Sequence, residues 1–521
     1  MTSSAIIPYP IEPIAALPSD DHLAAAFLNS MAEYGAQLHA RRIWLACSGG
    51  RDSLALAALC VQLYRQGTLS FLPQMLHVDH GLQADSQHWA AHVAHWAKAQ
   101  QMPCHILPAQ VTGSDEQAAR QARYDVMRAC MNQEDVLLLA HHADDQAETV
   151  LMRLIQGAGV SGLSGMQPWR VQSQGGHRMV LWRPWLTIRR ADISAYARRL
   201  KLPYIDDPTN ATGDNVRSGL RRDIMPVLAK YNPNVIDNIA RSAQLLSDAD
   251  TTVRAQAAQD LQQTTISSRQ QPPLQRVLSV DKLAKLPLYR QRQLLHYWLG
   301  QDEPLPPAKQ LVDDVLNLSQ RSDHNHQTEL FWQGRKHAYT IRRYRQQLYR
   351  LSSDWLAWLN IPITAQERTL AHIVLPDVSS VDSSPLSINL RTSEDVIWQL
   401  QVAPNALVRL LDNPAGEVGH QTALKIRPLD RQQRLKTALS TRPQSGKKLY
   451  QTLGIPIWLR ESLIVVSMTF LNAETVENEI PILLLSPFDR WILSADDLAI
   501  RTEAQTLAVF IDSHLCSNHT R

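Results

Sequence analysis

Ile43-Trp44-Leu45-Ala46-Cys47-Ser48-Gly49-Gly50-Arg51-Asp52-Ser53 decides the fold. The apolar run Ile43 to Cys47 reads as a buried strand. Two glycines break it, and 54–64 continues with apolar residues at helical spacing. A strand, a glycine turn and a helix N-terminus make an anion site, because free backbone N–H groups point outward and the helix dipole favours negative charge. Ser48 and Ser53 add hydroxyls, and Asp52 adds a carboxylate where a divalent cation on a polyphosphate would sit. The competing reading is a tight turn with Asp52 as an ordinary first-turn acid. The Walker pattern is absent, since no Gly-Lys precedes Ser53. The nucleophile elbow G-x-S-x-G is missed by one residue, Ala46 replacing its first glycine, which keeps a serine hydrolase open.

Beyond this unit the same beat repeats, with strands expected at 75–79, 104–107 and 135–140 and helices at 86–99, 116–131 and 143–156. Such alternation predicts a parallel sheet with helices on both faces. Ligands in these sheets collect beyond the carboxyl ends of the strands, where Ser48–Ser53, His77–Gly81 and His141–Asp145 all fall. Gly157-Ala158-Gly159-Val160-Ser161-Gly162 matches G-x-G-x-x-G but follows a helix rather than a strand. It reads as a flexible loop closing the site, not as a dinucleotide fingerprint.

The rest of the chain is less patterned. Residues 182–231 are mixed and basic, 234–262 helical, 287–320 two further helices and 329–351 strands. Ser267–Pro273 reads as a loop and Pro376–Pro385 as the best linker. With 521 residues there is room for two to four domains, and 44% hydrophobic with 19% charged residues is a globular balance. A net charge of +3 is too small to argue nucleic-acid binding by itself. Cys47, Cys60, Cys104, Cys130 and Cys516 form no C-x-x-C pair, against a disulfide framework, a cysteine zinc site or an iron–sulfur cluster. The start of the chain lacks a basic-then-apolar leader, and no apolar run approaches the ~18 residues of a membrane span, so a soluble cytoplasmic protein is expected.

Three groups of residues carry chemistry. In His141-His142-Ala143-Asp144-Asp145-Gln146-Ala147-Glu148-Thr149, helical spacing puts Asp145 and Glu148, and Asp144 and Glu148, on one face. These acids suit helix capping, a zinc site, or, beside an anion cradle, a magnesium-bound nucleotide or an amine-bearing substrate. Arg120 and Arg123 open a helix, the wrong end for the dipole, which favours an anion-facing role over a solvated face. Two basic stretches, 335–350 with interleaved tyrosines and 425–448, offer what RNA phosphates and unstacked bases require.

Ser48-Gly49-Gly50-Arg51-Asp52-Ser53 resembles the PP-loop of the ATP-pyrophosphatase superfamily, which cleaves ATP to AMP and pyrophosphate. His77-Val78-Asp79-His80-Gly81-Leu82, Ala119 to Tyr124, His142 to Thr149, Arg183-Pro184 with Leu186, and Asp207-Pro208-Thr209-Asn210 narrow the likeness to the tRNA(Ile)-lysidine synthases. It continues through 217–228, Ile341-Arg342-Arg343-Tyr344, Gly446-Lys447-Lys448-Leu449 and 454–460. That family implies ATP and Mg²⁺, a tRNA(Ile) with a CAU anticodon, and free L-lysine as reactants. ATP adenylates O2 of the wobble cytidine, then the lysine side-chain amine attacks C2 and expels AMP.

By resemblance, Ser48, Gly49, Gly50, Arg51, Asp52 and Ser53 bind ATP, and Asp52 positions Mg²⁺. Arg120 steadies phosphate charge, and Asp145 and Glu148 bind the lysine ammonium. Arg217, Arg221, Arg342, Arg343, Lys447 and Lys448 touch tRNA, and a homodimer is compatible with the family. Deprotonating a lysine of pKa about 10.4 at neutral pH costs roughly 4–5 kcal/mol, so a carboxylate or His142 must also accept a proton.

The expected fold is an α/β N-terminal domain with a parallel doubly wound sheet of the adenine nucleotide alpha hydrolase type, a mainly helical middle domain and a small mixed α+β C-terminal domain. Its divisions are a loose tail 1–20, a catalytic domain 21–232, a middle tRNA- or substrate-binding domain 233–375, a linker 376–386 and a C-terminal tRNA-binding domain 387–521. One departure stands out: the family usually has Arg-Asn ahead of its second arginine, whereas Ser218-Gly219 follow Arg217 here. Stretches 251–281 and 367–422 match the family poorly. A tRNA thiolase, a small-molecule amide-forming synthetase and a non-catalytic RNA-binding protein are the alternatives.

Overall fold

The computed structural model describes residues 13–14, 17–79, 81, 86–110, 116–174, 176–205, 216–266, 274–321, 328–359, 371–374, 386–390, 398–402, 421–437, 442–471, 478–486, 488–493 and 508–510. The expected loop Ser267–Pro273, the linker Pro376–Pro385 and the block Asp207–Asn210 lie outside them. The chain forms two units, Met1–Thr252 and Val253–Arg521.

The first unit is built on a six-stranded sheet. Its strands are β1 (Ile43–Ala46), β2 (Gln74–Asp79), β3 (Cys104–Pro108), β4 (Val136–Leu138), β5 (Trp169–Gln174) and β6 (His177–Trp182), in the order β3-β2-β1-β4-β6-β5. Pairings from β3 to β6 are parallel, with Leu45 beside Met75 on one side and Leu138 on the other. The central strands β1 and β4 are unbroken apolar runs because both faces are covered. Alternate residues serve opposite faces: Leu45, Met75, Leu138 and Val180 join one cluster, while Trp44, Leu76, Leu137 and Leu181 join the other.

The helices of this unit include α1 (Asp21–Glu33), α2 (Gly35–Leu38), α3 (Arg51–Arg65), α4 (Ser86–Ala99), α5 (Glu116–Cys130), α6 (Ala143–Ile155), α7 (Val160–Leu163) and α8 (Arg190–Arg199). Residues 53–63 of α3 are buried without a break, so this helix is enclosed rather than amphipathic.

Two features depart from the sequence expectation. The sheet is not wholly parallel, because β5 pairs antiparallel with β6 and forms an edge. Its polar run Arg170-Val171-Gln172-Ser173-Gln174 hides it from a search for apolar strands, since Arg170, Val171 and Ser173 are exposed at this edge. The glycine loop after α6 is also tied down rather than free. Arg153 Nη1 donates to Gly162 O at 2.8 Å and Gly165 O at 2.9 Å, and Gln146 exchanges two hydrogen bonds with the Met166 backbone.

The second unit begins within the long helix Val235–Thr264. It contains an antiparallel sheet of β7 (Arg276–Ser279), β8 (Glu329–Gln333), β9 (Ala338–Tyr344) and β10 (Gln347–Ser352), ordered β7-β10-β9-β8. Helices Leu288–Gly300 and Lys309–Gln320 pack Leu294, Trp298 and Val315 against Leu278, Ile341 and Leu348 of this sheet. Its other residues, Tyr349 and Leu351, share a cluster with Leu449, Ile455, Val465 and Leu484 of the C-terminal segment. Among the described residues no helix is long and apolar enough to cross a membrane.

Asp135 locks the centre of the first sheet. Its Oδ2 accepts the indole N–H of Trp44 at 2.8 Å and the Asn132 N–H at 2.8 Å, all at a buried position. Asp135→Ala strands both donors and is expected to cost at least about 2 kcal/mol. Urea unfolding measures it, and an unchanged midpoint would mean that water replaces the carboxylate.

Candidate active site

The chain crosses over between β3 and β4, so β1 and β4 are neighbours whose following helices diverge, and the crevice lies beyond their carboxyl ends. On the β1 side, Gly49 adopts φ +83°, and a Cβ there would sit 3.0 Å from Val93 Cγ2. Only glycine suits this left-handed, crowded position. Gly50 is the N-cap of α3 and supplies no side-chain cap. The Ser53 hydroxyl ties the turn together, accepting the Ser48 N–H at 3.2 Å and donating to Gly50 O at 3.0 Å. His77 Nδ1–H donates to Cys47 O at 2.9 Å, and Ile205 N–H to Gly49 O at 3.0 Å.

On the β4 side, His142 is the N-cap of α6 in a reciprocal capping box. Asp145 N–H donates to His142 Nδ1 at 3.3 Å, and His142 N–H to Asp145 Oδ2 at 3.2 Å. His142 Nε2 lies 3.5 Å from both Asp52 Oδ2 and Asp145 Oδ2, so one imidazole joins the two helix starts. Asp144 turns away and accepts the Arg190 N–H at 2.8 Å, at the first turn of α8.

Glu148 is 2% exposed and takes both Arg221 Nε at 2.7 Å and Nη2 at 2.9 Å. Arg217 Nε lies 3.6 Å from the same carboxylate and its Nη2 donates to Thr149 Oγ1 at 3.3 Å. A π-helical turn, Leu220–Ile224, separates the helical segments Val216–Gly219 and Met225–Tyr231 and carries Arg221. Ser218-Gly219 thus lead into a widened turn that still delivers both arginines to Glu148.

Two adjoining cavities share Ser48, Gly50, Asp52, Ser53, Arg120 and Arg123 in their walls. One, about 380 Å³, is apolar at its far end, with Leu76, Val78, Trp89, Met127 and Leu139 beside His141. The other, about 340 Å³, is polar and is walled by Arg51, His142, Asp145, Arg190, Arg217 and Arg221. The sequence-predicted Ser48, Gly50, Arg51, Asp52, Ser53, Arg120, Asp145, Arg217 and Arg221 therefore meet, with Gly49 shaping the turn and Glu148 buried behind Arg221. Arg190 and Ile205 carry no role in the sequence reading, because only the fold returns them to the cradle.

Arg342, Arg343, Lys447 and Lys448 belong to the second unit. Arg342 pairs with Glu329 at 2.7 Å and lies over the Trp458 ring, while Arg343 donates to carbonyls of Leu318, Arg321 and Arg345. Lys447 and Lys448 are exposed on the helix Gly446–Thr452.

Charge couples the two helix starts. Burial would lower the pKa of His142, but Asp52, Asp145 and Asp144 outweigh it and raise it above 6.5. Protonation forfeits the long Nδ1 cap and gains three carboxylates. Burial would raise Asp52, and His142, Arg190 and Arg51 hold it below 3.8 instead. The His142 contribution to stability is therefore complete below about 6.5 and lost as pH rises through the higher folded value. The Asp52 contribution is complete above about 3.8 and lost as pH falls through the lower one. Melting curves at pH 6 and pH 9 should show an alkaline loss in the wild type that His142→Asn, which keeps an N-cap acceptor, lacks. Equal losses in the two proteins would disprove the coupling.

Residues 21–228 match the model of the PP-loop domain, and residues 278–349 that of the TilS substrate binding domain. The chain is 38% identical over 507 residues to a tRNA(Ile)-lysidine synthase of Psychrobacter sp. (strain PRwf-1), covering 92% of this chain and 96% of that one. It is 36% identical over 384 residues to a tRNA(Ile)-lysidine synthase of Pseudomonas aeruginosa, covering 71% of this chain and 84% of that one. With nearly the full length of such a relative matched, the chain belongs to the tRNA(Ile)-lysidine synthase family.

Proposed function

We propose that this ligase joins free L-lysine to C2 of cytidine 34 in the CAU anticodon of tRNA(Ile), with ATP cleaved to AMP and pyrophosphate. The observation that carries the reading is the junction of the two cavities: an open helix N-terminus and arginines suited to a triphosphate, opening onto a carboxylate suited to an amine. The apolar end of the larger cavity fits a nucleoside base.

In the first step cytidine O2 bonds to the α-phosphorus and pyrophosphate leaves. The backbone N–H groups after Gly50, with Arg120, meet the charge that builds there. Asp52 Oδ1 is buried without a hydrogen-bond partner, and one carboxylate plus phosphate oxygens is an ordinary Mg²⁺ environment, so Asp52 would hold that ion. When bound, the cation would neutralise phosphate charge.

In the second step the lysine side-chain nitrogen bonds to C2 and AMP departs with the former O2. Asp145 faces the polar cavity and would receive the ammonium. Glu148 reaches it only when Arg221 turns aside, since that guanidinium now covers its carboxylate. The amine must lose a proton before it attacks, and His142, between Asp52 and Asp145, is placed to relay it.

The alternatives fit less well. Burial raises the Cys47 thiol and, with Asp135, the Cys130 thiol, the reverse of what sulfur transfer needs. Ser48 Oγ accepts the Gly50 N–H at 3.3 Å and lies 3.2 Å from Ser53 Oγ, so among the described residues its partners are a backbone amide and a second hydroxyl rather than a histidine base.

Pyrophosphate and AMP release, with capture of radiolabelled lysine, tests the reading in the presence and absence of CAU-anticodon tRNA. Label transferred to RNA is expected; release with no RNA requirement would favour a small-molecule synthetase. Asp145→Asn should retain tRNA-dependent pyrophosphate release and lower kcat/KM for lysine at least about tenfold, or ~1.4 kcal/mol. Full lysine-dependent turnover in that variant would remove Asp145 from the mechanism. Neutralising Lys447 and Lys448 together should weaken tRNA binding and flatten its salt dependence by up to about two units of slope. An unaltered slope would leave them as surface lysines only.

A further inference from the structure

Arg183 follows β6 and is buried at 4% exposure. Its Nη1 donates to Gln167 O at 2.8 Å, which fixes the guanidinium, and its Nε donates to His141 Nδ1 at 3.1 Å. A guanidinium is only a donor. The nitrogen it meets must therefore carry a lone pair, and the one ring proton of His141 must sit on Nε2. His141 itself lines the wall of the larger cavity, beside the cradle.

We propose that Arg183 is a positioning residue that locks His141 as the neutral Nε2–H tautomer, so that the ring presents a fixed, uncharged hydrogen-bond donor to an oxygen of the bound nucleotide. This inference rests on the preceding reading only in placing a nucleotide in that cavity. The groups around the ring agree with it: Arg183 after β6, Arg120 on α5, Arg217 on the segment Val216–Gly219, and His142 at the start of α6, while Tyr124 of α5 faces Arg183. Burial first, then these cations, keep the His141 pKa well below 6.5. Burial pulls Arg183 down to about 10, which leaves it a cation at neutral pH. The neighbouring rings are thus set in opposite senses. His142, among carboxylates, takes up a proton readily, whereas His141, among arginines, does not. A charged imidazole at His141 would lose its bond to Arg183, because both ring nitrogens would then be donors.

Nitrogen-15 NMR of histidine-labelled protein, with the His141 signals assigned by their loss in His141→Gln, reads the tautomer without any activity measurement. The wild-type ring should stay protonated on Nε2 alone from pH 5.5 to 8.5, and in Arg183→Gln should populate the Nδ1–H tautomer and take up a proton at higher pH than in wild type. A wild-type ring protonated on Nδ1, or titrating near 6.5, would overturn the proposal even if lysidine formation is confirmed. In tRNA-dependent pyrophosphate release, Arg183→Gln should shift any acid limb to higher pH than in wild type, still below the ordinary histidine value because burial, Arg120 and Arg217 remain. Adding His141→Gln, whose amide N–H replaces the Nε2 donor but cannot titrate, should remove that limb. A uniform loss in Arg183→Gln, with the wild-type pH profile preserved, would make the arginine merely structural.

Discussion

The site depends on the pairing of β1 with β4. That register, with Leu45 opposite Leu138, sets the first turns of α3 and α6 side by side at one end of the sheet. Two helix N-termini so close form a shared region of positive potential. Every other feature answers it: Asp52 and Asp145 enter from the two first turns, His142 lies between them, and Gly49 keeps the backbone N–H groups of the cradle uncovered. Without the crossover that returns the chain to the far side of β1, these pieces would sit at separate strand ends.

Electrostatics then divides labour among residues that look alike in sequence. Asp144, Asp145 and Glu148 lie on one turn of α6, yet Asp144 caps α8, Asp145 faces a cavity and Glu148 is buried under Arg221. A carboxylate as enclosed as Glu148 must be paired, because an unpaired buried charge is costly. Its bidentate partner supplies that pairing and also closes access to it. The lysine-binding role proposed for the motif would thus be split between an acid already presented and one covered by Arg221.

The local parts of this architecture were legible in the sequence. Ser48 to Ser53 and His142 to Glu148 declare themselves because a turn, an N-cap and a first-turn acid depend on neighbours in the chain. What depends on distant neighbours did not. Arg217 and Arg221 read as RNA-facing cations, and that they also reach Glu148, through a π-helical turn, is something no periodicity announces. Arg183 and His141 were visible as motif letters, but their hydrogen bond exists only because β6 lies beside β4. The polar edge strand β5 escaped because edge strands carry little hydrophobic signal.

The basic stretch 335–350 carries much of its charge on side chains that the fold already engages. Arg343 is held by three carbonyls, Arg345 donates to Gln451 O, and Arg350 is fully buried between Asp302 and the Tyr339 ring. Arg342 shares its charge with Glu329 and its face with Trp458. Cations anchored this way hold β9 and β10 against their surroundings, and a phosphate would have to displace those partners to use them. Lys447 and Lys448 project from a short helix whose start is pressed against Arg431, where a Cβ on Gly446 would lie 2.9 Å from Arg431 Cα. Lysine is a compact charge on a flexible stem, so the exposed Lys447 and Lys448 would meet the phosphate of a proposed tRNA contact at less cost than arginines already engaged by carbonyls and carboxylates.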